Sequence, residues 1–289
     1  MKNIDDLVYG HKQAKKVISA LLRRSKERYY KKCVLGNTDN LQDTLKCLLI
    51  GPSGTGKTHL IQSFSQLNSF PLICLDATQL MPSGNSDGIN SKQLTNMIRT
   101  KCLALAETPE YHSPEGALNQ LVIFVDEIDK LGVSFDSSGN WNRHVQANFL
   151  TMINGNPDFE GISWIFAGAF SGLFKNKIKK PDIGFFSEAH SDSEDEITDD
   201  DILKAGIIPE LLGRINLIVQ LDTFTTDDFK RILLERLLPK YTLQLTETDV
   251  DSIVAKAYKS GQGIRNMTRQ LEMLAIDEEC SKTDVYCKF

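Results

Sequence analysis

Leu48-Leu49-Ile50-Gly51-Pro52-Ser53-Gly54-Thr55-Gly56-Lys57-Thr58-His59-Leu60-Ile61 carries the reading of the whole chain. An apolar run, a glycine-rich turn and a second apolar segment follow one another. This predicts a buried strand, a tight loop and a helix start. From Gly51 to Thr58 the spacing fits G-x-x-x-x-G-K-[ST], the phosphate-loop pattern. Glycines reach backbone angles closed to other residues, so successive N–H groups can converge on one anion. The helix behind Lys57 turns its positive dipole end toward the same anion. Lys57 adds a point charge for the outer phosphates, and the Thr58 hydroxyl suits a magnesium ion. The plain alternative is a glycine-rich turn with a chance lysine. The strand before it and the helix after it speak against that, and the stretch implies a site for a nucleoside triphosphate with Mg2+.

The chain has 289 residues, enough for one large domain or two smaller ones. A net charge of −5 argues against a broad nucleic-acid-binding face. No apolar run approaches the ~20 residues that span a bilayer, and the first residues carry no signal-peptide pattern. A cytoplasmic protein without membrane attachment is expected. Cys33, Cys47, Cys74, Cys102, Cys280 and Cys287 are scattered, with no C-x-x-C pair, so neither zinc nor a disulfide framework is indicated. Cys47 and Cys74 lie in apolar runs and are expected in the core.

Working outward from the phosphate loop, hydrophobic periodicity predicts a helix over 12–32 and strands over 45–50, 71–76, 121–125, 162–167 and 216–221. Helices are expected over 89–107, 143–153 and 202–212. The basic face of the first helix (Lys15, Lys16, Arg23, Arg24, Lys26, Arg28, Lys31, Lys32) reads as solvated. Leu121 to Val125 is apolar throughout, which suits a parallel strand covered on both faces. The segment 108–116 reads as a loop. Residues 175–201, basic and then strongly acidic, read as a mobile surface insertion. Thr223 to Thr226 reads as a hinge, followed by helices over 229–238, 249–258 and 264–277 and a short strand over 241–245. The whole predicts an α/β protein: an αβα sandwich on a parallel sheet over 1–222, then a small, mostly helical lid domain over 223–289.

The third strand ends in Asp126-Glu127-Ile128-Asp129-Lys130. Two adjacent carboxylates at a buried strand end need a cation or a shared proton. Downstream of a phosphate loop, Asp126 would hold magnesium and Glu127 would orient and polarise the attacking water. A polar strand end capping a turn is the structural alternative.

Several motifs in this order resemble AAA+ ATPases of the Clp/HslU group, ClpX unfoldases above all, over nearly the whole length. They are Val8 to Lys16, the phosphate loop, Asp76 to Leu80, Val125 to Lys130, Gly168 to Leu173, Gly206 to Arg214, and Gly263-Ile264-Arg265. The resemblance implies that Val8, Tyr9, Gly10 and His11 contact the adenine. It implies that Pro52, Ser53, Gly54, Thr55, Gly56, Lys57, Thr58 and His59 hold the phosphates, with Thr58 and Asp126 on Mg2+. Asp126 and Glu127 correspond to the Walker B pair. Arg214 corresponds to an arginine finger acting on a neighbouring subunit's ATP, and Arg265 to the sensor-2 arginine. A homo-oligomeric ring, a hexamer, follows from a finger acting in trans.

The departures from the family pattern are informative. The N-terminal zinc-binding module of ClpX has no counterpart in this sequence. The loop over Met81 to Asn90 lacks the aromatic-apolar-glycine tripeptide that grips substrate in unfoldases; Trp141 is a possible substitute. Ala167 replaces a polar side chain that some relatives place near the γ-phosphate. Ile183-Gly184-Phe185, in contrast, matches the tripeptide by which ClpX docks on a ClpP-type peptidase. The expected function is ATP-driven remodelling of a dedicated protein partner, or unfolding coupled to such a peptidase. The alternative is an assembly or switch module in which nucleotide controls ring formation. A small-molecule kinase leaves Arg214 and Arg265 without a role, and DNA remodelling is the weaker option.

Overall fold

The computed structural model describes residues 3–80, 89–111, 113–132, 139–154, 159–173 and 197–282. Two compact units are present: Met1–Gly51 with Thr58–Leu221, and Pro52–Lys57 with Asp222–Phe289. The first unit is built on a five-stranded sheet of order β2-β3-β4-β1-β5, where β1 is Lys46–Ile50, β2 Leu72–Asp76, β3 Val122–Asp126, β4 Ser163–Gly168 and β5 Leu217–Gln220. Every pairing is parallel.

Alternation along the strands explains the layers. Leu48, Ile50, Ile123, Val125, Trp164 and Phe166 fall in one buried cluster with Leu94, Ile98, Val145 and Phe149. Their neighbours Cys47, Leu49, Val122, Phe124, Ile165 and Ala167 fall in another with Val17, Ile18, Leu21, Leu60, Ile61 and Phe64. Side chains alternate faces along a strand, so apolar residues at every position demand helices on both faces. After the single helical turn α1 (Ile4–Leu7), α2 (Lys12–Tyr29) and α3 (Lys57–Asn68) lie on one face. On the other lie α4 (Ser91–Ala106) and α6 (Gly139–Asn154). Phe149 stands edge-on to Trp164 with ring centroids 5.4 Å apart, and Trp164 stacks on Phe166 at 6.2 Å.

Some expectations are corrected. Pro114–Gln120 is a helix, α5, which begins inside the stretch 108–116 read as loop and continues beyond it. Ser113 caps it through Gly116 N and Pro114 opens it, a pairing in which the missing proline N–H costs nothing. The C-terminal end of the acidic block is helical: α7 spans Asp199–Lys204, with Asp199, Asp200 and Asp201 in its first turn and a Thr198–Asp201 capping box; residues 174–196 lie outside the described residues. Carboxylates suit that end of a helix. The segment over 202–212 is not one helix, because α7 stops and α8 covers Pro209–Leu212. Cys74 is exposed, since β2 is an edge strand; Cys47, in the interior strand β1 between β4 and β5, is fully buried and its thiol is pushed up to about 12 by that burial.

The second unit carries α9 (Thr226–Ile232), α10 (Glu247–Ser260) and α11 (Ile264–Lys282). Thr225 and Thr246 cap the first two with boxes closed by Asp228 and Asp249. The expected strand over 241–245 is absent. Among the described residues no helix is long and apolar enough to cross a membrane.

Candidate functional site

Parallel strands deliver their carboxyl ends to one edge, where open α/β sheets bind ligands. At that edge β1 runs into the phosphate loop. Gly54 and Gly56 have φ of 82° and 94°, a region that favours glycine. Thr55 Oγ1 donates to the Pro52 carbonyl at 2.9 Å, and Lys57 Nζ donates to the same carbonyl at 3.1 Å. The lysine, largely buried, is thus held over the curl of the loop, where a phosphate would sit.

Asp126 is the last residue of β3. Its Oδ2 accepts a hydrogen bond from Thr58 Oγ1 at 2.5 Å, and its Oδ1 accepts from Glu127 N at 2.9 Å. The structure therefore places a hydroxyl and a carboxylate from two different elements side by side. That donor set fits Mg2+, which takes one or two protein oxygens and completes its octahedron with phosphates and waters.

Glu127 is exposed and has φ of 58°, a left-handed conformation that costs a non-glycine residue about 1–3 kcal/mol. It caps the short helix Ile128–Leu131. Phe170, just beyond β4, is likewise left-handed at φ 45°. One side chain binds both places together. Asp129 accepts from Ala169 N at 3.1 Å and from Phe170 N at 3.2 Å. A carboxylate taking two backbone N–H groups fastens the turn behind Glu127 to the end of β4. Sequence reasoning missed Asp129, although it stands in the same acidic run. Asp129→Ala is expected to lower the unfolding free energy by about 2 kcal/mol, the worth of hydrogen bonds to a charged group. Urea denaturation measures this.

The segment implied for adenine packs on the helix behind the loop. Val8 is buried and its carbonyl accepts from Lys15 Nζ at 2.7 Å, while Lys15 also pairs with Asp5 at 2.6 Å. Buried His11 caps α2 in a left-handed conformation, with Tyr9 and Gly10 half-buried before it. His59 Nε2 lies 3.2 Å from the Leu7 carbonyl, so this bond draws 7–11 toward α3. Ala167 is wholly buried among the α2 and α3 side chains; it is a packing residue.

Arg214 is not at this edge. It is exposed, two residues before Asn216, whose N–H donates to the Lys46 carbonyl at 2.8 Å. The ammonium of Lys46 is pushed down by burial and further by the Arg214 guanidinium, with Asp43 opposing. Arg214 thus neighbours the start of β1, while the phosphate loop follows its end. Arg265 is exposed in the first turn of α11, in the second unit. Met81 to Gly88 and Ile183-Gly184-Phe185 lie outside the described residues, as does the Trp141 side chain.

A phosphate loop behind the interior strand β1, with an acidic pair closing β3 beside Thr58, defines a P-loop ATPase. The family model described as ATPase family associated with various cellular activities (AAA) matches residues 47–197, just over half the chain, and the chain belongs to that family. It is also similar to the ATP-dependent Clp protease ATP-binding subunit ClpX of Treponema denticola, at 28% identity over 95% of this chain and 74% of the relative. It is a ClpX-like AAA+ ATPase, and its reaction is ATP hydrolysis.

Proposed function

We propose that the protein forms a homo-oligomeric ring, a hexamer, that spends ATP on remodelling one dedicated protein partner. Arg214 carries the reading. From Lys46 to Gly51 the chain advances about 16 Å at ~3.3 Å per residue, farther than an arginine side chain reaches. An arginine at the strand-starting edge of one copy has its use on the phosphates of another copy. Repeated head-to-tail contact of this kind closes into a ring.

In this reading Lys57 and the loop amides bind the β- and γ-phosphates, and Thr58 and Asp126 hold Mg2+. The bound cation neutralises charge that develops on the phosphoryl oxygens. Glu127 orients the attacking water and takes its proton. Arg214 from the neighbouring copy and Arg265 stabilise charge on the γ-phosphate. The division into a large unit over 1–222 and a lid over 223–289 lets hydrolysis be converted into motion.

A dedicated partner is favoured over general unfolding because the sequence of Met81 to Asn90 is polar and holds no aromatic residue. Unfolding coupled to a ClpP-type peptidase is the second reading, resting on Ile183-Gly184-Phe185 and on the relative named a Clp protease subunit. The protein acts in the cytoplasm in both. The test is an ATP-loaded Glu127→Gln pull-down read by mass spectrometry, beside a copy also carrying Ile183→Ser and Phe185→Ser. One non-peptidase protein retained by both is the expected result. A peptidase captured by the first and lost from the second would establish the second reading. Capture of nothing in the presence of ATP would leave the nucleotide-controlled assembly module.

A further inference from the structure

The segment that carries Glu127 and the segment that leads to Arg214 are joined through one buried side chain. Gln146 lies in α6 with no exposed surface. Its amide nitrogen donates to the Leu131 carbonyl at 2.6 Å and to the Gly206 carbonyl at 3.0 Å, and its carbonyl oxygen accepts from Ile208 N at 2.9 Å. The orientation of the amide is fixed by chemistry, since a flip would set its NH2 group against the Ile208 N–H and its oxygen against a carbonyl.

Leu131 closes the short helix that begins directly after Glu127. Gly206 to Ile208 run straight into α8, and Arg214 follows two residues after that helix. Two neighbouring contacts tighten the join. A Cβ on Gly132 would stand 2.4 Å from the Ala205 carbonyl oxygen, so the two backbones meet at a distance only glycine permits. Asn142, one helical turn before Gln146, donates from Nδ2 to the Gly132 carbonyl at 3.0 Å. At the other end of the turn, Asp129 is fastened to Ala169 and Phe170.

We propose that Gln146 is a positioning residue for ATP hydrolysis: it makes the Glu127 turn and the Arg214 segment shift as one body, and so couples the nucleotide site of one copy to that of its neighbour. The proposal rests on the roles given above to Glu127 and Arg214. A buried amide is suited to this task. An apolar side chain of the same size would pack there but leave two carbonyls and an N–H to find other partners, and the two segments could then move apart. Coupling by such a link is reciprocal, so nucleotide bound at one site biases the arginine offered to the next.

The test uses the full chain with Gln146→Leu, and with Gln146→Glu, which keeps the shape and the acceptor and carries the test should Gln146→Leu fail to fold. Turnover is read by radiolabelled phosphate release, and binding by a fluorescent ATP analogue. Expected are a kcat lower by about tenfold or more, the scale of a small misplacement of reacting groups, a nucleotide Kd within about threefold of the wild type, and a Hill coefficient that falls toward one. In an Arg214→Ala background, Gln146→Leu should lower kcat no further, because residues acting through one another are not additive. If Arg214→Ala alone leaves turnover intact, the finger reading fails whatever Gln146 does. If Arg214→Ala abolishes turnover while Gln146→Leu and Gln146→Glu keep the wild-type kcat and Hill coefficient, or if the losses simply multiply, the coupling inference alone is overturned.

Discussion

Glu127→Gln is expected to bind ATP with wild-type affinity and to turn it over at least about a hundredfold more slowly, the lower end of what general-base catalysis contributes. The substitution keeps size and shape and removes only the charge and the basic oxygen. The groups that would hold nucleotide and cation are Lys57, the loop amides, Thr58 and Asp126, and none depends on Glu127. Its own backbone N–H bonds to Asp126 Oδ1, a contact that a side-chain amide leaves in place. Because Glu127 is exposed, stability should change by no more than about 0.5 kcal/mol. Phosphate release at saturating ATP, beside equilibrium binding of a fluorescent analogue, separates the two effects. Ordinary turnover by this variant would remove Glu127 from the chemistry.

The second large effect concerns Arg214. Arg214→Ala should lower turnover by about 10³-fold or more, the range established for arginine fingers, with little change in nucleotide affinity. Lys57→Ala should be equally inactive, for loss of phosphate binding. Mixed in one ring, the two inactive chains should recover activity, since the Lys57→Ala copy still offers Arg214 to a neighbour whose phosphate loop is intact. At equal mixing about a quarter of the sites combine an intact loop with an intact neighbouring arginine, given one head-to-tail contact per site. Recovery near that fraction supports action in trans. A mixture no more active than its parts would return Arg214 to an ordinary surface residue near Lys46.

The parts of this site differ in how openly the sequence displays them. The phosphate loop and the acidic pair are local patterns: a few consecutive residues whose backbone and charges act together wherever the chain places them. Strand periodicity was readable for the same reason, and the five predicted strands are present with ends shifted by a residue or so. The short helix α5 had a readable signal in Ser113-Pro114, obscured by Gly116, a poor helix former. The strand expected over 241–245 failed because an apolar alternation makes a strand only where another strand pairs with it, and the second unit supplies none among its described residues.

By itself, then, the sequence displayed the local patterns at one edge: the glycine-rich loop with Lys57, the Thr58 hydroxyl and Asp126 carboxylate proposed for a cation, and the Glu127 carboxylate proposed for water. Tertiary structure alone decided the order of the strands, which sets Cys74 on an exposed edge strand and Cys47 on an interior one. It alone put Arg214 at the far end of β1 from the phosphate loop. It alone gave Asp129 and Gln146 their partners, 40 and 41 residues away for the first, and 15, 60 and 62 for the second. Such bonds depend on which backbone groups the folded sheet and helices bring alongside, and no spacing along the chain encodes that.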